Sequence, residues 1–302
     1  MLQLQCEILT GQTLGDVFKP AHGLEFTDNH MHIDPREGKG IEAVREFEDV
    51  GGKYLFLVNK GTGDAGIDLK DAKSFEKLYE YTIGLCGEIR EKTGVHSYAV
   101  IGVHPAEFAS MCKFSIDKAL ETAKEAMDIA GQKIADGKAV AMGEIGMPHF
   151  DVKSEILDAC RELLSHSLEI ASGLDCAVQL HTGSVEEKDF MDFSDMAKAA
   201  GLEPRRLIKH YSPPLIRAAE EAGIYPSLIA SSENIKRARK EGNRFLMESD
   251  YIDDLSRPGA VVGPKSVPKV SRRLFEEGVL SEEDIWRIHL DNVQDAYGIN
   301  LD

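Results

Sequence analysis

The sequence predicts a single-domain α/β fold, a TIM (β/α)8 barrel with parallel strands, on three observations. Short apolar, β-branched runs recur along the whole chain, segments of helical period separate most of them, and ligand-type residues close several of the runs in turn. In a barrel of this kind chemistry is assembled at the C-terminal ends of the strands, so side chains at successive strand ends converge on one mouth.

The runs fall at residues 24–29, 54–59, 97–103, 139–144, 177–181, 207–210, 225–230 and 245–250. Few polar residues interrupt them, as expected of parallel strands covered on both faces. Between them, residues 75–90 carry Leu78, Tyr81 and Ile83 at helical spacing. Residues 116–135 align Ala119, Ala123, Ala126 and Ile129, and residues 156–170 align Ile156, Leu163, Leu164 and Leu168. About eight such units in 302 residues suit a closed barrel. An open doubly wound sheet is the alternative, but it would place a ligand at one switch point rather than draw on five strands. Residues 281–297 read as a C-terminal helix packed on the barrel, with Ser281 as its cap and Glu283 and Asp284 in its first turn.

One domain spanning 1–302 accommodates this length. No Pro/Ser/Gly linker or low-complexity tract divides it, and no apolar stretch approaches the roughly 18–20 residues of a membrane span. Residues 1–20 lack the basic start and apolar centre of a secretory signal; they are expected to add a short strand or helix over the barrel bottom. The cysteines (Cys6, Cys86, Cys112, Cys160, Cys176) are scattered without a CxxC pair, which fits reduced thiols and a cytoplasmic protein. A formal net charge of −17 disfavours extended nucleic acid as a partner. A small phosphate-bearing substrate stays compatible with it, because divalent cations would make the mouth locally positive.

Six residues carry the functional reading: His30, His32, Glu144, His181, His210 and Asp250. His30 and His32 lie two apart, so on a strand both imidazoles share a face and can bind one ion together. Glu144 follows Ala139-Val140-Ala141-Met142-Gly143. A carboxylate there is costly unless it is paired, hydrogen-bonded or on a metal, and its two oxygens can bridge two cations. His181 and His210 each end a run. Asp250 ends the last one, as a ligand, a general base or a helix cap. Singly, each has an ordinary reading as a surface histidine, a buried ion pair or a cap. Taken together in strand order they point to a metal site. Imidazole and carboxylate donors suit two divalent ions, Zn2+ first, with Mn2+, Co2+, Ni2+ or Fe2+ as competitors.

With these residues in view, the chain resembles the TatD family of metal-dependent hydrolases, within the amidohydrolase superfamily. The matching pieces are Asp28-Asn29-His30-Met31-His32-Ile33-Asp34, Gly102-Val103-His104-Pro105, Gly143-Glu144-Ile145-Gly146, Gln179-Leu180-His181, His210, and Glu248-Ser249-Asp250. The resemblance implies a binuclear centre: one ion on His30, His32 and Asp250, the other on His181 and His210, with Glu144 bridging. It also implies a place near the substrate for His104. The chain departs from the family pattern at Ala106, at His210-Tyr211-Ser212-Pro213-Pro214 and at Ser249-Asp250-Tyr251-Ile252-Asp253, so it is similar to a divergent branch. The phosphotriesterase-like branch, which also uses Gly-Glu-Ile-Gly, is the nearest competitor.

The expected chemistry is hydrolysis. A water held between two divalent cations loses a proton near neutral pH and becomes the nucleophile, with Asp250 and Glu144 as the catalytic residues and Asp250 moving the proton. A phosphoester is the expected substrate, as a short or small phosphodiester. An amide, ester or lactone of a small metabolite is the alternative, and a non-catalytic metal-binding protein is a third. Candidate substrate residues are His104, His149, and Arg257 and Lys265 in the long segment after Asp250. The last two could hold an anion or could be ordinary solvated charges. Lys209 is expected to point away from His210 by strand alternation.

Overall fold

A computed structural model describes residues 23–301; the expectation for residues 1–20 lies outside them. The strands are β1 (Phe26–His32), β2 (Gly52–Val58), β3 (His96–Ile101), β4 (Ala141–Gly146), β5 (Ala177–His181), β6 (Leu207–Lys209), β7 (Tyr225–Ile229), β8 (Leu246–Glu248) and β9 (Tyr251–Ile252). Every adjacent pair is parallel. The order runs β8-β7-β6-β5-β4-β3-β2-β1-β9. Its two ends, β8 and β9, follow one another in the chain, so residues 246–252 close the sheet into the expected barrel. The eighth run is thus one strand broken in two. The break falls at Asp250, whose φ of 46° turns the backbone out of extended geometry while its N–H still donates to the His30 carbonyl at 3.0 Å.

The helices are α1 (Ile41–Glu48), α2 (Ala72–Lys92), α3 (Pro105–Cys112), α4 (Ile116–Ala135), α5 (Ser154–Leu174), α6 (Glu187–Ala199), α7 (Ile216–Glu221), α8 (Ser232–Arg239), α9 (Ser266–Glu276), α10 (Glu282–Trp286) and α11 (Asn292–Tyr297). They follow strands in the alternation expected of βα units. α4 coincides with the expected segment and buries its alanine stripe, Ala119, Ala123, Ala126 and Ala130. In α2 the buried face is Phe75, Leu78, Tyr79, Thr82, Leu85, Cys86 and Ile89. Tyr81 was expected on that face and is instead 37 % exposed, because the buried stripe passes through Leu78, Tyr79 and Thr82 and leaves Glu80 and Tyr81 on the outer side. No helix among the described residues is long and apolar enough to cross a membrane. Cys86, Cys112, Cys160 and Cys176 are all free and buried.

Two apolar layers hold the barrel. The outer one lies between strands and helices. The inner one fills the barrel with Phe56, Val58, Val100, Ala141, Ala177, Ile208, Tyr225 and Leu246. Several of these open their strands, so this layer occupies the N-terminal end, and α11 closes it with Val293, Ala296 and Tyr297. The C-terminal helix does pack on the barrel, and Ser281 and Asp284 form its capping box. It is not continuous: a π-helical stretch, Arg287–Asp291, separates α10 from α11 and carries the buried His289.

Candidate metal centre

At the opposite end, the strands deliver side chains from β1, β4, β5, β6 and the β8–β9 break to one point. The histidine tautomers follow from their outer partners. The Nδ1 of His32 lies 3.1 Å from the Val58 carbonyl, which can only accept, so Nδ1 carries the proton and Nε2 presents a lone pair. The Nδ1 of His30 lies 2.6 Å from Gln179 Oε1. The Gln179 amide is oriented by its Nε2, which donates to the Asn29 carbonyl (2.8 Å) and to the Tyr297 hydroxyl (2.6 Å). His30 therefore also holds its proton on Nδ1. The Nδ1 of His210 stands 2.9 Å from Glu248 Oε1 without hydrogen-bond geometry, and the charge of that carboxylate favours a proton on Nδ1 over Nε2.

Three imidazoles thus present bare Nε2 atoms to one centre. Those of His30 and His32 are only 3.1 Å apart. Two lone pairs that close repel unless a positive charge lies between them, and Asp250 Oδ1 faces them at 3.8 and 3.7 Å. Glu144 completes the arrangement with one oxygen to each side. Its Oε2 lies 3.5 Å from His30 and 3.6 Å from His32, and its Oε1 lies 2.7 Å from His181 Nδ1 and 3.2 Å from His210 Nε2. Three groups of donors are close enough to share an ion: His30, His32 and Asp250; His30, Glu144 and His210; His104, Glu144 and His181. The donor set fits a divalent cation, and it makes all six expected ligands neighbours.

His104 differs from the other histidines. Its Nδ1 accepts the Ala106 N–H at 3.1 Å, as the cap of α3, so its proton is on Nε2, 3.8 Å from Glu144 Oε2. In this tautomer its Nε2–H faces the centre at a distance longer than a hydrogen bond, and this nitrogen could ligate an ion only after losing that proton. His149 lies beside the centre, its Nδ1 3.0 Å from His181 Nε2.

The local electrostatics ask for positive charge. Burial raises the Asp250 carboxyl to about 8 despite the opposing charge of His30. Burial also acts against a proton on His30, but Glu144, Asp250 and Glu248 outweigh it and push that imidazole up to about 9. His32, buried beside His30, is pushed down to about 3. Burial likewise opposes ionisation of Glu144, yet the surrounding histidines hold it well below the usual carboxylate range. A buried centre that takes a proton so readily is one where a metal ion can replace it.

Both glycines of Gly143-Glu144-Ile145-Gly146 are sterically required. A Cβ on Gly143 would come within 2.7 Å of Gln179 Cβ, and one on Gly146, at φ 137°, within 2.3 Å of the His181 carbonyl. The Gly143–Glu144 peptide is cis.

Two clefts flank the centre. The smaller, ≈ 270 Å³, includes His32, Lys60, His104, Glu144 and Arg257. The larger, ≈ 670 Å³, includes His149, His181, His210, Tyr211, Arg237 and Asp250. Arg257 pairs with Asp254 at 2.7 Å, and Lys60 pairs with Asp34 at 2.9 Å. Lys265 pairs with Glu46 at 3.0 Å and lines neither cleft. Lys209 is buried on the face of β6 that carries Leu207, and its ammonium donates to the His210 carbonyl. Sequence reasoning gave no role to Gln179, Glu248 or Arg237. Strand spacing places Gln179 one layer below His181 on the same face of β5, whereas Glu248 ends β8 before the break at Asp250 and no such spacing relates the two.

A parallel barrel with a His/Glu/Asp centre at its C-terminal mouth belongs to the class of metal-dependent hydrolases. The family model described as "TatD related DNase" matches residues 27–298, and the chain belongs to the TatD family. It is 37 % identical over 290 residues to the uncharacterized protein MJ1127 of Methanocaldococcus jannaschii, covering 95 % of this chain and 99 % of that one. Among solved structures it is similar to the TatD homologue YjjV of Escherichia coli K12 (18 % identity, TM-score 0.63, covering 91 % of this chain and 99 % of that one). It also shares its fold with a mutant PTE-like lactonase of Deinococcus radiodurans (12 % identity, TM-score 0.61, 91 % and 96 % covered).

Proposed function

We propose that the protein hydrolyses a phosphoester bond of a small or short substrate at a binuclear divalent-metal centre. The observation that carries this reading is the division of Glu144: Oε2 faces His30 and His32, Oε1 faces His181 and His210. One ion would be held by His30, His32 and Asp250, the second by His181 and His210, with Glu144 between. When bound, such ions polarise the scissile bond and acidify a water, and Zn2+ suits these donors best. The protein's own share is positional. Val58, Gln179 and Glu248 fix the ligand tautomers, His104 turns its Nε2–H toward Glu144, and Asp250, at the edge of the larger cleft, moves a proton between water and leaving group. The family description supports the phosphoester. Hydrolysis of an amide, ester or lactone of a small metabolite is the second reading, favoured by a net charge of −17 that suits a small substrate better than a polyanion.

The test is turnover of bis-p-nitrophenyl phosphate against p-nitrophenyl acetate by protein loaded with Zn2+ or Mn2+. The phosphodiester is expected to be the better substrate. Asp250→Asn should lower kcat by roughly 10²–10⁴ while most of the metal stays bound. Acetate as the better substrate would move the assignment to the second reading, and near-normal turnover by Asp250→Asn would remove the proton-transfer role.

A further inference from the structure

We infer that Arg237 is a specificity residue: it anchors a second anionic group of the substrate, carboxylate or phosphate, in the larger cleft beside the metal centre. The inference rests on the hydrolase reading of that centre but not on which bond is cut.

Arg237 lines the same ≈ 670 Å³ cleft as His181, His210 and Asp250. It lies on α8, which leaves the C-terminal end of β7, so the barrel itself brings it to the mouth. The other cations of this helix are spent on the scaffold: Lys236 pairs with Glu277 at 2.6 Å, and Arg239 with Asp284 at 3.0 Å. Arg237 is exposed and, among the described residues, has neither a carboxylate within 4.0 Å nor a hydrogen bond from its side chain. Asn234, three residues earlier and so on the same side of the helix, lines the cleft with it. The cations of the smaller cleft offer no such free valence, since Lys60 and Arg257 are both paired.

A guanidinium kept free in a cleft is a planar fork of donors matched to a carboxylate or phosphate. On a chain of net charge −17, with the only carboxylate of this cleft being Asp250, it is the group there that selects for negative charge. The scissile group goes to the metal centre. The second anion, carried on the part of the substrate that fills the larger cleft, goes to Arg237.

The experiment uses the metal-loaded full-length protein and calorimetric binding of alkylphosphonates of graded chain length. Each is compared with the equal-length compound ending in a carboxylate or in a second phosphonate. These probes are not hydrolysed, so the result does not depend on the bond specificity above. At one chain length the anionic tail should tighten binding about tenfold or more, the size of one charge-assisted contact. Arg237→Gln should abolish that ratio and Arg237→Lys should keep part of it. The carboxylate and phosphonate arms tell which anion the fork prefers. Equal affinity of tailed and untailed probes in the wild type, or an unchanged ratio in Arg237→Gln, overturns the inference. If no phosphonate binds at all, this inference fails, and the turnover assay above decides separately which bond the centre hydrolyses.

Discussion

At the residue scale, the centre depends on side chains that do not ligate. Gln179 is buried between the Asn29 carbonyl, the Tyr297 hydroxyl and His30, and its only free acceptor faces His30. Gln179→Leu removes that acceptor and frees the His30 ring to take the other tautomer. Metal affinity should fall roughly 10–100-fold, the usual cost of losing an outer partner of a ligand. Tyr297→Phe, one bond further away, should cost about 1 kcal/mol of stability and change affinity by only a few fold. Competition with a chromophoric chelator measures both. Wild-type affinity in Gln179→Leu would show that the amide does not set the tautomer. The six residues that meet at the mouth were legible because they ended apolar runs. The roles of Gln179 and Glu248 were not, since spacing along a strand can place a residue on a face, but an amide or a carboxylate there looks like any other polar residue until its partner on another strand is known.

At the element scale, the π-helical stretch between α10 and α11 holds His289 in the interior. Its Nδ1 accepts the Thr27 N–H of β1 at 3.2 Å, its Nε2 lies 2.9 Å from Ser271 Oγ of α9, and its ring meets Phe26 edge-on. Burial pushes this imidazole down to about 4, only partly offset by the Thr27 backbone. The folded state therefore holds His289 neutral in a range where the unfolded chain, near 6.5, takes a proton. Its contribution is complete above about 6.5 and is lost as pH falls toward 4, by roughly 3 kcal/mol over the window. Urea titrations of wild type and His289→Gln should therefore converge on acidification, the wild type losing stability faster between pH 7 and 4.5. Parallel pH profiles would show that this histidine is not held neutral. Helical period in the sequence located this C-terminal segment and Ser281 as its cap. Period alone did not reveal the π insertion, which depends on where His289 finds partners on β1 and α9.

At the scale of the whole molecule, the barrel closes through a two-part final strand, and that closure makes the centre. Asp250 reaches His30 and His32 because residues 246–252 pair with β7 at one end and β1 at the other. The charges gathered there belong to strands far apart in sequence, so a bound cation stabilises the closed barrel over the unfolded chain, which holds no such site. Purified wild type should carry about two ions per chain by mass spectrometry, and a His181→Ala/His210→Ala double variant about one. Chelation should lower the Tm of the wild type more than that of the double variant. No ion in the wild type after reconstitution would refute the metal reading, and one ion in both proteins would refute a second binding position.

The sequence by itself determined the eight-strand alternation, the three long helices, and the identity and order of the six residues that meet at the mouth. These are local facts: the period of apolar residues and the residue that ends each run. Only the tertiary structure decided the rest. It set Glu144 between two groups of histidines, placed the proton of His104 on Nε2 through its bond to the Ala106 N–H, and tied Lys265 to Glu46 while leaving Arg237 free in the cleft. Each of those outcomes turns on distances between residues on different strands and helices, and distance across a barrel is set by closure and packing rather than by spacing along the chain.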